Sequence, residues 1–195
     1  MSNKEKLMTI IKKNNGYVRT SDLRQHGIHQ QFLRQLVDEG YIKKVTRGVY
    51  SLTGQSPNEF FILGQRYLSG VFSHNTALYF YDMTERTPIK YDMTFPNNIR
   101  IYNEFVKAHY IKKEIYSLGL TTIKLSDNTE IKIYDKERTI CDIVKDRNKI
   151  DTQILNTALK EYMKRKDKNL FLLYNYASKL RIESILSQYM EVLDE

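Results

Sequence analysis

Within the first 52 residues the apolar pattern changes from helical spacing to strand spacing, and this change limits the fold more than any other feature. Gly16, Gly27 and Gly40 separate three stretches with helical spacing. The first predicts a helix over residues 3–14, and Thr20 and Ser21 can cap a short second helix. The apolar residues of the three stretches are Leu7, Ile10 and Ile11, then Leu23, then Phe32, Leu33, Leu36 and Val37.

The next stretch, GYIKKVTRGVYSL at residues 40–52, has the composition of two short strands around a tight turn. We expect strands over 41–45 and 49–52, joined at Thr46-Arg47-Gly48, where glycine can take a positive φ. The stretch carries three basic residues and no acidic one. The order of helix, helix, turn, helix and basic hairpin predicts a winged helix-turn-helix.

The stretch TGQSPNE at residues 53–59 contains residues that interrupt regular structure, and we place a domain boundary there. The predicted fold class is α+β: a winged helix-turn-helix at 1–54, then a mixed α/β C-terminal domain at 58–195 with a helical C-terminus. In that second domain we expect two helices, the second capped by Ser73, then strands, a hairpin, and helices from residue 135 onward.

The positive charge is concentrated near the N-terminus. The chain has a net charge of +8, and residues 1–54 hold ten basic and four acidic side chains, which is +6, leaving +2 for the rest. Such an asymmetry is typical of a chain in which one domain meets a polyanion.

Double-stranded DNA is the polyanion that this fold predicts. Amide and guanidinium groups on the third helix suit base edges in the major groove, while hydroxyl and basic side chains suit phosphates. Arg47, in the hairpin turn, is the best candidate for a narrow minor groove. A solvated helix face and a winged helix that docks proteins are the alternatives. The predicted DNA-binding residues are Ser21, His29, Gln30, Gln31, Arg34, Gln35, Lys43, Lys44 and Arg47.

The remainder of the chain offers little catalytic chemistry, so we expect no enzyme and no cofactor. His74 could be a general base, but no partner is evident, and neither a P-loop nor metal-ligand spacing is present. Arg138 and Asp142 lie at i, i+4, which suits an ion pair on a helix surface, with Asp135 as the helix cap. The basic KEYMKRKDK run suits a solvated helix end or a second nucleic-acid contact.

Three segments in this order resemble the AbiEi family of antitoxins from bacterial abortive-infection, type IV toxin-antitoxin systems. They are GYVRTSDLRQHGIHQQFLRQLVDEGYIKKVTRGVYSL, SHNTALYFYDM and IKIYDKERTICDIV. The resemblance implies a winged helix that represses its own operon and a C-terminal domain that counteracts a nucleotidyltransferase-like toxin without a stable complex. The family-like residues of that domain, to which no role is assigned, are Ser73, His74, Glu137, Arg138 and Asp142.

Further expectations concern partners and location. One winged helix covers few base pairs, so we expect binding to inverted repeats in promoter DNA, by a monomer in solution that binds cooperatively. The lone Cys141 and the lack of a signal sequence predict a cytoplasmic protein. Two alternatives stay open. One is a ligand-sensing regulator with a concave apolar pocket of roughly 300 to 1,000 Å³ and converging polar groups. The other is a nucleic-acid-processing enzyme, which would need clustered acids or a nucleophile and a base within reach of each other.

Overall fold

The computed structural model describes residues 2–56 and 58–191, which form two compact units. Unit 1 contains the described residues up to Leu68 together with Lys124–Ile131, and unit 2 contains Ser69–Ile123 and the described residues from Lys132 onward. The chain is mixed α+β, as predicted. The predicted limits of independently folding domains, 1–54 and 58–195, stay a prediction.

Unit 1 has helices on a small antiparallel sheet. Its strand order is β1-β3-β2, with Tyr17 opposite Ser51 and Ile42 opposite Leu52. The pairing of β2 with β3 is irregular between Lys44 and Thr46, which is a β-bulge. The elements are α1 (Asn3–Lys13), β1 (Tyr17–Arg19), α2 (Thr20–Gln25), α3 (Gln31–Asp38), β2 (Ile42–Thr46), β3 (Val49–Leu52) and α4 (Glu59–Arg66).

A compact apolar core determines how α3 is oriented. Leu33 and Leu36 are buried and lie three residues apart, on one side of this helix. Because that side faces the core, the opposite side of α3 must face solvent. The buried core residues of unit 1 are Leu7, Ile11, Val18, Leu23, Ile28, Leu33, Leu36 and Ile42.

The turn between β2 and β3 is attached to the start of α2. Gly48 has a φ of +74°, and its carbonyl accepts a hydrogen bond of 2.9 Å from the Thr20 N–H. The prediction that Thr20 and Ser21 cap α2 is wrong, because both lie within the helix. Asp22 caps the start of α2 instead, because its carboxylate accepts a hydrogen bond of 2.9 Å from the Arg19 N–H.

Unit 2 is built around a five-stranded mixed sheet with the order β6-β5-β4-β8-β7. Strands β5 and β6 are parallel, as are β4 and β8, whereas β4 and β5 are antiparallel. The elements from β4 onward are β4 (Val71–Phe72), α5 (His74–Phe80), β5 (Tyr91–Pro96), β6 (Val106–Ile111), α6 (Lys113–Tyr116), β7 (Leu120–Lys124), β8 (Glu130–Tyr134), α7 (Lys136–Lys145), the 3-10 helix Arg147–Lys149, α8 (Thr152–Lys164), α9 (Leu170–Lys179) and α10 (Glu183–Glu191).

Helix α7 is the central helix of unit 2. Residues 137–144 are all buried, and the helix contacts α5, α8, α9 and α10. Asp135 caps it as predicted, accepting from the Arg138 N–H at 2.7 Å. Ser73 precedes α5 but makes no side-chain capping bond, so that part of the prediction is wrong. Within residues 2–56 and 58–191, no helix combines the length and the apolar character needed to cross a membrane.

The burial of α3 generates a stability prediction. Leu36→Ala should lower the free energy of unfolding of unit 1 by about 2–5 kcal/mol, because it removes a fully buried side chain and leaves a cavity. The neighbouring exposed change Gln35→Ala should stay within about 0.5 kcal/mol. Urea unfolding followed by circular dichroism measures both, and equal losses would contradict the orientation of α3 described here.

Candidate functional site

The solvent-facing side of α3 carries the side chains that the sequence predicts for base contact. Gln31, Arg34 and Gln35 are all exposed, and their i, i+3, i+4 spacing places them on one face opposite Leu33 and Leu36. This face offers amide groups that donate and accept, and a planar guanidinium that can bind guanine or phosphate in a bidentate manner. Three of the nine predicted residues therefore lie together.

The start of α3 uses two further predicted residues. Gln30 occupies the N-cap position, and the Nδ1 atom of His29 accepts a hydrogen bond of 3.2 Å from the Gln31 N–H. This contact satisfies one of the free amides at the helix N-terminus. His29 is exposed, and its second ring nitrogen, Nε2, is the atom available for a phosphate contact.

The hairpin separates two lysines that the sequence prediction treats as equivalent. Lys43 and Lys44 are both exposed, but neighbouring residues of a strand point to opposite faces of the sheet. Lys44 shares a face with Ile42, which is part of the core formed with α3. Lys43 lies on the opposite face of the sheet, so the two side chains leave the strand in different directions.

Arg47 is exposed in the turn, which is held to α2 through Gly48 and Thr20. Within the described part of the chain, neither this guanidinium nor Arg34 forms an ion pair. Ser21 is exposed one residue further along, where its hydroxyl makes a long contact of 3.4 Å with the Asp22 carboxylate. Unpaired cations at an exposed turn and on an exposed helix face are what phosphate binding requires.

The segment that carries all nine predicted contacts also has a recognisable sequence. Residues 5–53 match the family model "Transcriptional regulator, AbiEi antitoxin". The AbiEi match extends from α1 into the end of the hairpin, and it confirms the resemblance for this part of the chain. A comparison with curated proteins found no significant match. The AbiEi segment is therefore similar to transcriptional regulators that are also antitoxins.

In unit 2 the Arg138–Asp142 pair of α7 is buried, which contradicts the prediction of a surface ion pair. The Arg138 Nε atom donates to Asp142 at 2.9 Å, with both side chains at most 5% exposed. Arg138 Nη1 donates to the carbonyls of Ile115 and Leu118, and the guanidinium lies over the Tyr134 ring. The pair is buried because α7 packs against α5, α8, α9 and α10, and because the carbonyls of Ile115 and Leu118 and the Tyr134 ring cover Arg138.

Glu137 is also buried and serves as a hydrogen-bond acceptor inside unit 2. Its Oε1 atom accepts from the Tyr162 hydroxyl at 3.0 Å and from the Asn169 N–H at 3.0 Å. Burial first, and then the charge of Glu137, raise the pKa of Tyr162 above its ordinary range. These contacts connect α7 to α8 and to the start of α9, so Glu137 holds elements of the fold together.

Ser73 and His74 belong to a second buried polar cluster. The Ser73 hydroxyl accepts from Thr94 at 2.8 Å and lies 3.0 Å from His74 Nδ1. The His74 ring stacks on the His109 ring, with centroids 3.6 Å apart and planes inclined by 10°. Asp146 lies beside both rings, 3.6 Å from His74 Nε2 and 3.7 Å from His109 Nδ1.

Asp92 completes this cluster and affects its charge. His109 Nε2 donates to the buried Asp92 carboxylate at 2.6 Å. Burial alone would lower the pKa of His109, but contacts with Asp146 and Asp92 outweigh it and raise that pKa. Contacts with His109 and then His74 hold the pKa of Asp146 well below its usual range. Sequence reasoning missed Asp92, His109 and Asp146, because they lie on three different elements with no short spacing between them.

The buried pair in α7 generates a prediction about stability. Asp142→Asn should destabilise unit 2 by about 3–5 kcal/mol, because it leaves the Arg138 guanidinium buried without its counter-charge. Joint replacement, Arg138→Met with Asp142→Leu, should recover most of that loss. Thermal and urea unfolding of the single and double variants measure this. A single variant as stable as the wild type would contradict the burial of an ionised pair.

Proposed function

We propose that the chain is a repressor that binds duplex DNA through unit 1, with α3 in the major groove and the β2–β3 hairpin as a wing. One observation carries this proposal: Gln31, Arg34 and Gln35 share an exposed helix face, directly before a hairpin with unpaired cations. A helix presented in this way is the element that helix-turn-helix proteins place against base edges.

The chemistry of each group suggests its role on DNA. The amides of Gln31 and Gln35 suit adenine, and Arg34 suits guanine or a phosphate. Lys44 and Arg47 suit phosphates or an adjacent minor groove, where the negative potential is strong. Lys43, which lies on the other sheet face and is exposed, is the remaining predicted phosphate contact of the hairpin.

The match at residues 5–53 supports a second part of the proposal. We infer that the DNA is the promoter of the chain's own operon, with inverted repeats bound by monomers cooperatively. The operon would also encode a nucleotidyltransferase-like toxin that this chain counteracts as a type IV antitoxin, without a stable complex and in defence against phage. This function requires no reaction catalysed by the chain. A repressor acts where its DNA is, so the cytoplasmic location belongs to the same proposal.

DNA binding generates a prediction with a matched control. Arg34→Ala and Arg47→Ala should each weaken binding to the DNA upstream of the gene, and each lost phosphate contact should reduce the slope of log affinity against log salt by about 0.9. A change at a base-contacting residue should cost about 1–3 kcal/mol and relax sequence preference. Gel shifts of the full chain over a range of salt concentrations measure both.

The control variant is Lys12→Ala, which removes an exposed positive charge from the last turn of α1. Lys12→Ala should lower the affinity for DNA much less than Arg34→Ala or Arg47→Ala does. Equal losses in all three variants would indicate unspecific attraction by net charge, and binding that does not change with salt would reject the DNA-binding proposal altogether.

Toxin antagonism can be tested separately from repression. When the full chain and its neighbouring toxin gene are expressed from unrelated promoters, the wild type and the Arg34→Ala/Arg47→Ala variant should restore growth equally. Only the wild type should repress a reporter under its own promoter. Because the native promoter is absent from this assay, loss of growth rescue in the DNA-binding variant would show that toxin antagonism itself depends on Arg34 or Arg47. Co-purification of toxin and antitoxin would contradict a mechanism without a stable complex.

A ligand-sensing regulator remains the second candidate, because unit 2 contains a pocket of about 410 Å³. This volume is within the usual range for small ligands, and polar groups of His74, His109, Arg138 and Asp146 line it. The sequence hypothesis requires an apolar pocket with converging polar groups, and apolar side chains such as Ile111 line this pocket beside the polar ones. Rescue of growth from the toxin distinguishes the antitoxin from this alternative.

A further inference from the structure

Three ligand-type atoms converge beside the pocket of unit 2. His74 Nε2 and His109 Nδ1 lie 3.6 and 3.7 Å from the same oxygen, Oδ2 of Asp146. These distances are too long for hydrogen bonds. They equal the separation of two ligands that hold one ion with bonds of about 2.1 Å at an angle near 120°. Together the three atoms lie within 4.8 Å of one another.

The second ring nitrogen of each histidine already has a hydrogen-bond partner, as is usual for histidines that bind a metal ion. His109 Nε2 donates to the Asp92 carboxylate, which is 97% buried. His74 Nδ1 lies 3.0 Å from the Ser73 hydroxyl, whose oxygen also accepts from Thr94. Such outer partners favour the tautomer that leaves the other ring nitrogen free for an ion, and a carboxylate behind a histidine raises its basicity.

We propose that unit 2 binds one divalent first-row transition ion, Zn²⁺ in the first instance, through His74, His109 and Asp146. Two imidazoles and one carboxylate form a ligand set that suits Zn²⁺ and leaves a fourth position for water. The pocket of about 410 Å³ that these residues line gives that position room. The ion connects the start of α5, strand β6 and the C-terminal end of α7.

Binding changes the arrangement of the two rings. They are stacked and nearly parallel, so an ion held by both nitrogens requires them to turn until each lone pair points at it. His74 has a φ of +48°, in the left-handed region that costs non-glycine residues energy. A strained backbone at a ligand position is a feature found at functional sites.

A proton competes with the ion for His109. The charged and titratable groups that face this ring are Asp92 on β5, Lys107 on its own strand, His74 on α5, and Asp146, which is also paired with Lys149. A ligating imidazole nitrogen must be unprotonated, so the ion competes with a proton at Nδ1 and its affinity should increase with pH.

The test uses the full chain, stripped with a chelator, and titrates Co²⁺ and Zn²⁺ as probes. We expect one Co²⁺ per chain with visible absorption typical of four-coordinate cobalt, displaced by Zn²⁺, and a thermal midpoint of unit 2 that rises with Zn²⁺. Calorimetry in buffers of different ionisation enthalpy should show proton release. His109→Gln and Asp146→Asn should each lower affinity at least ~100-fold, and Asp92→Asn about 10–100-fold.

Two further variants keep the test decisive. His74→Asn tolerates the positive φ and should lose the visible spectrum while its metal-free unfolding temperature stays close to that of the wild type. His29→Ala removes an exposed histidine of unit 1 and should bind like the wild type. If His109→Gln retains the stoichiometric site, or if His29→Ala abolishes it, the ion binds elsewhere and the proposal fails. It also fails if no Co²⁺ binds above pH 7.

Discussion

The arrangement of unit 1 depends on the removal of one side of α3 from water. Leu33 and Leu36 reach the same core as Leu7 and Leu23, so the helix cannot rotate without exposing apolar surface. This constraint, rather than any contact among polar residues, keeps Gln31 and its neighbours outside. A small core can therefore define a binding face, because burial of the apolar stripe also selects which polar groups remain accessible.

Unit 2 depends on a different principle, because its central helix buries charge. Arg138 meets one carboxylate and two carbonyls, and Glu137 accepts two hydrogen bonds. Buried ionic groups rarely add net stability over apolar side chains of similar size, but each one penalises arrangements in which its partners are missing. The family-like residues of α7 are thus explained by the fold, whereas His74 belongs to the cluster that could have a role in binding.

Local patterns in the sequence predicted the N-terminal elements well. Apolar spacing and the glycines that follow each helix located α1, α3 and the hairpin within a few residues, because these signals act over short distances. Helix caps were harder to predict. Asp22, rather than Thr20 or Ser21, caps α2, and the Ser73 hydroxyl accepts a hydrogen bond from Thr94 instead of capping α5. Both errors arise because a polar side chain has several possible partners and the sequence does not show which one lies nearest.

The sequence alone could not predict which residues from distant parts of the chain come together, or which of them are buried. The i, i+4 spacing of Arg138 and Asp142 is the same on a surface as in a core, so only the surrounding helices reveal burial. Asp92, His109 and Asp146 come together because β5, β6 and α7 pack against one another, and no spacing rule applies across such separations. The opposite directions of Lys43 and Lys44 follow from the alternation of side chains along a strand, but the burial of Ile42 in the core shared with α3 shows which lysine lies on the face toward that helix.

The bond between the Thr20 N–H and the Gly48 carbonyl has a consequence for recognition. It joins the tip of the hairpin to α2, the helix that precedes α3, and so limits how far the turn that carries Arg47 can move relative to α2. Preorganisation of this kind reduces the entropy lost on association. In the proposed DNA complex, the span between α3 and the turn favours duplexes whose groove width already fits it.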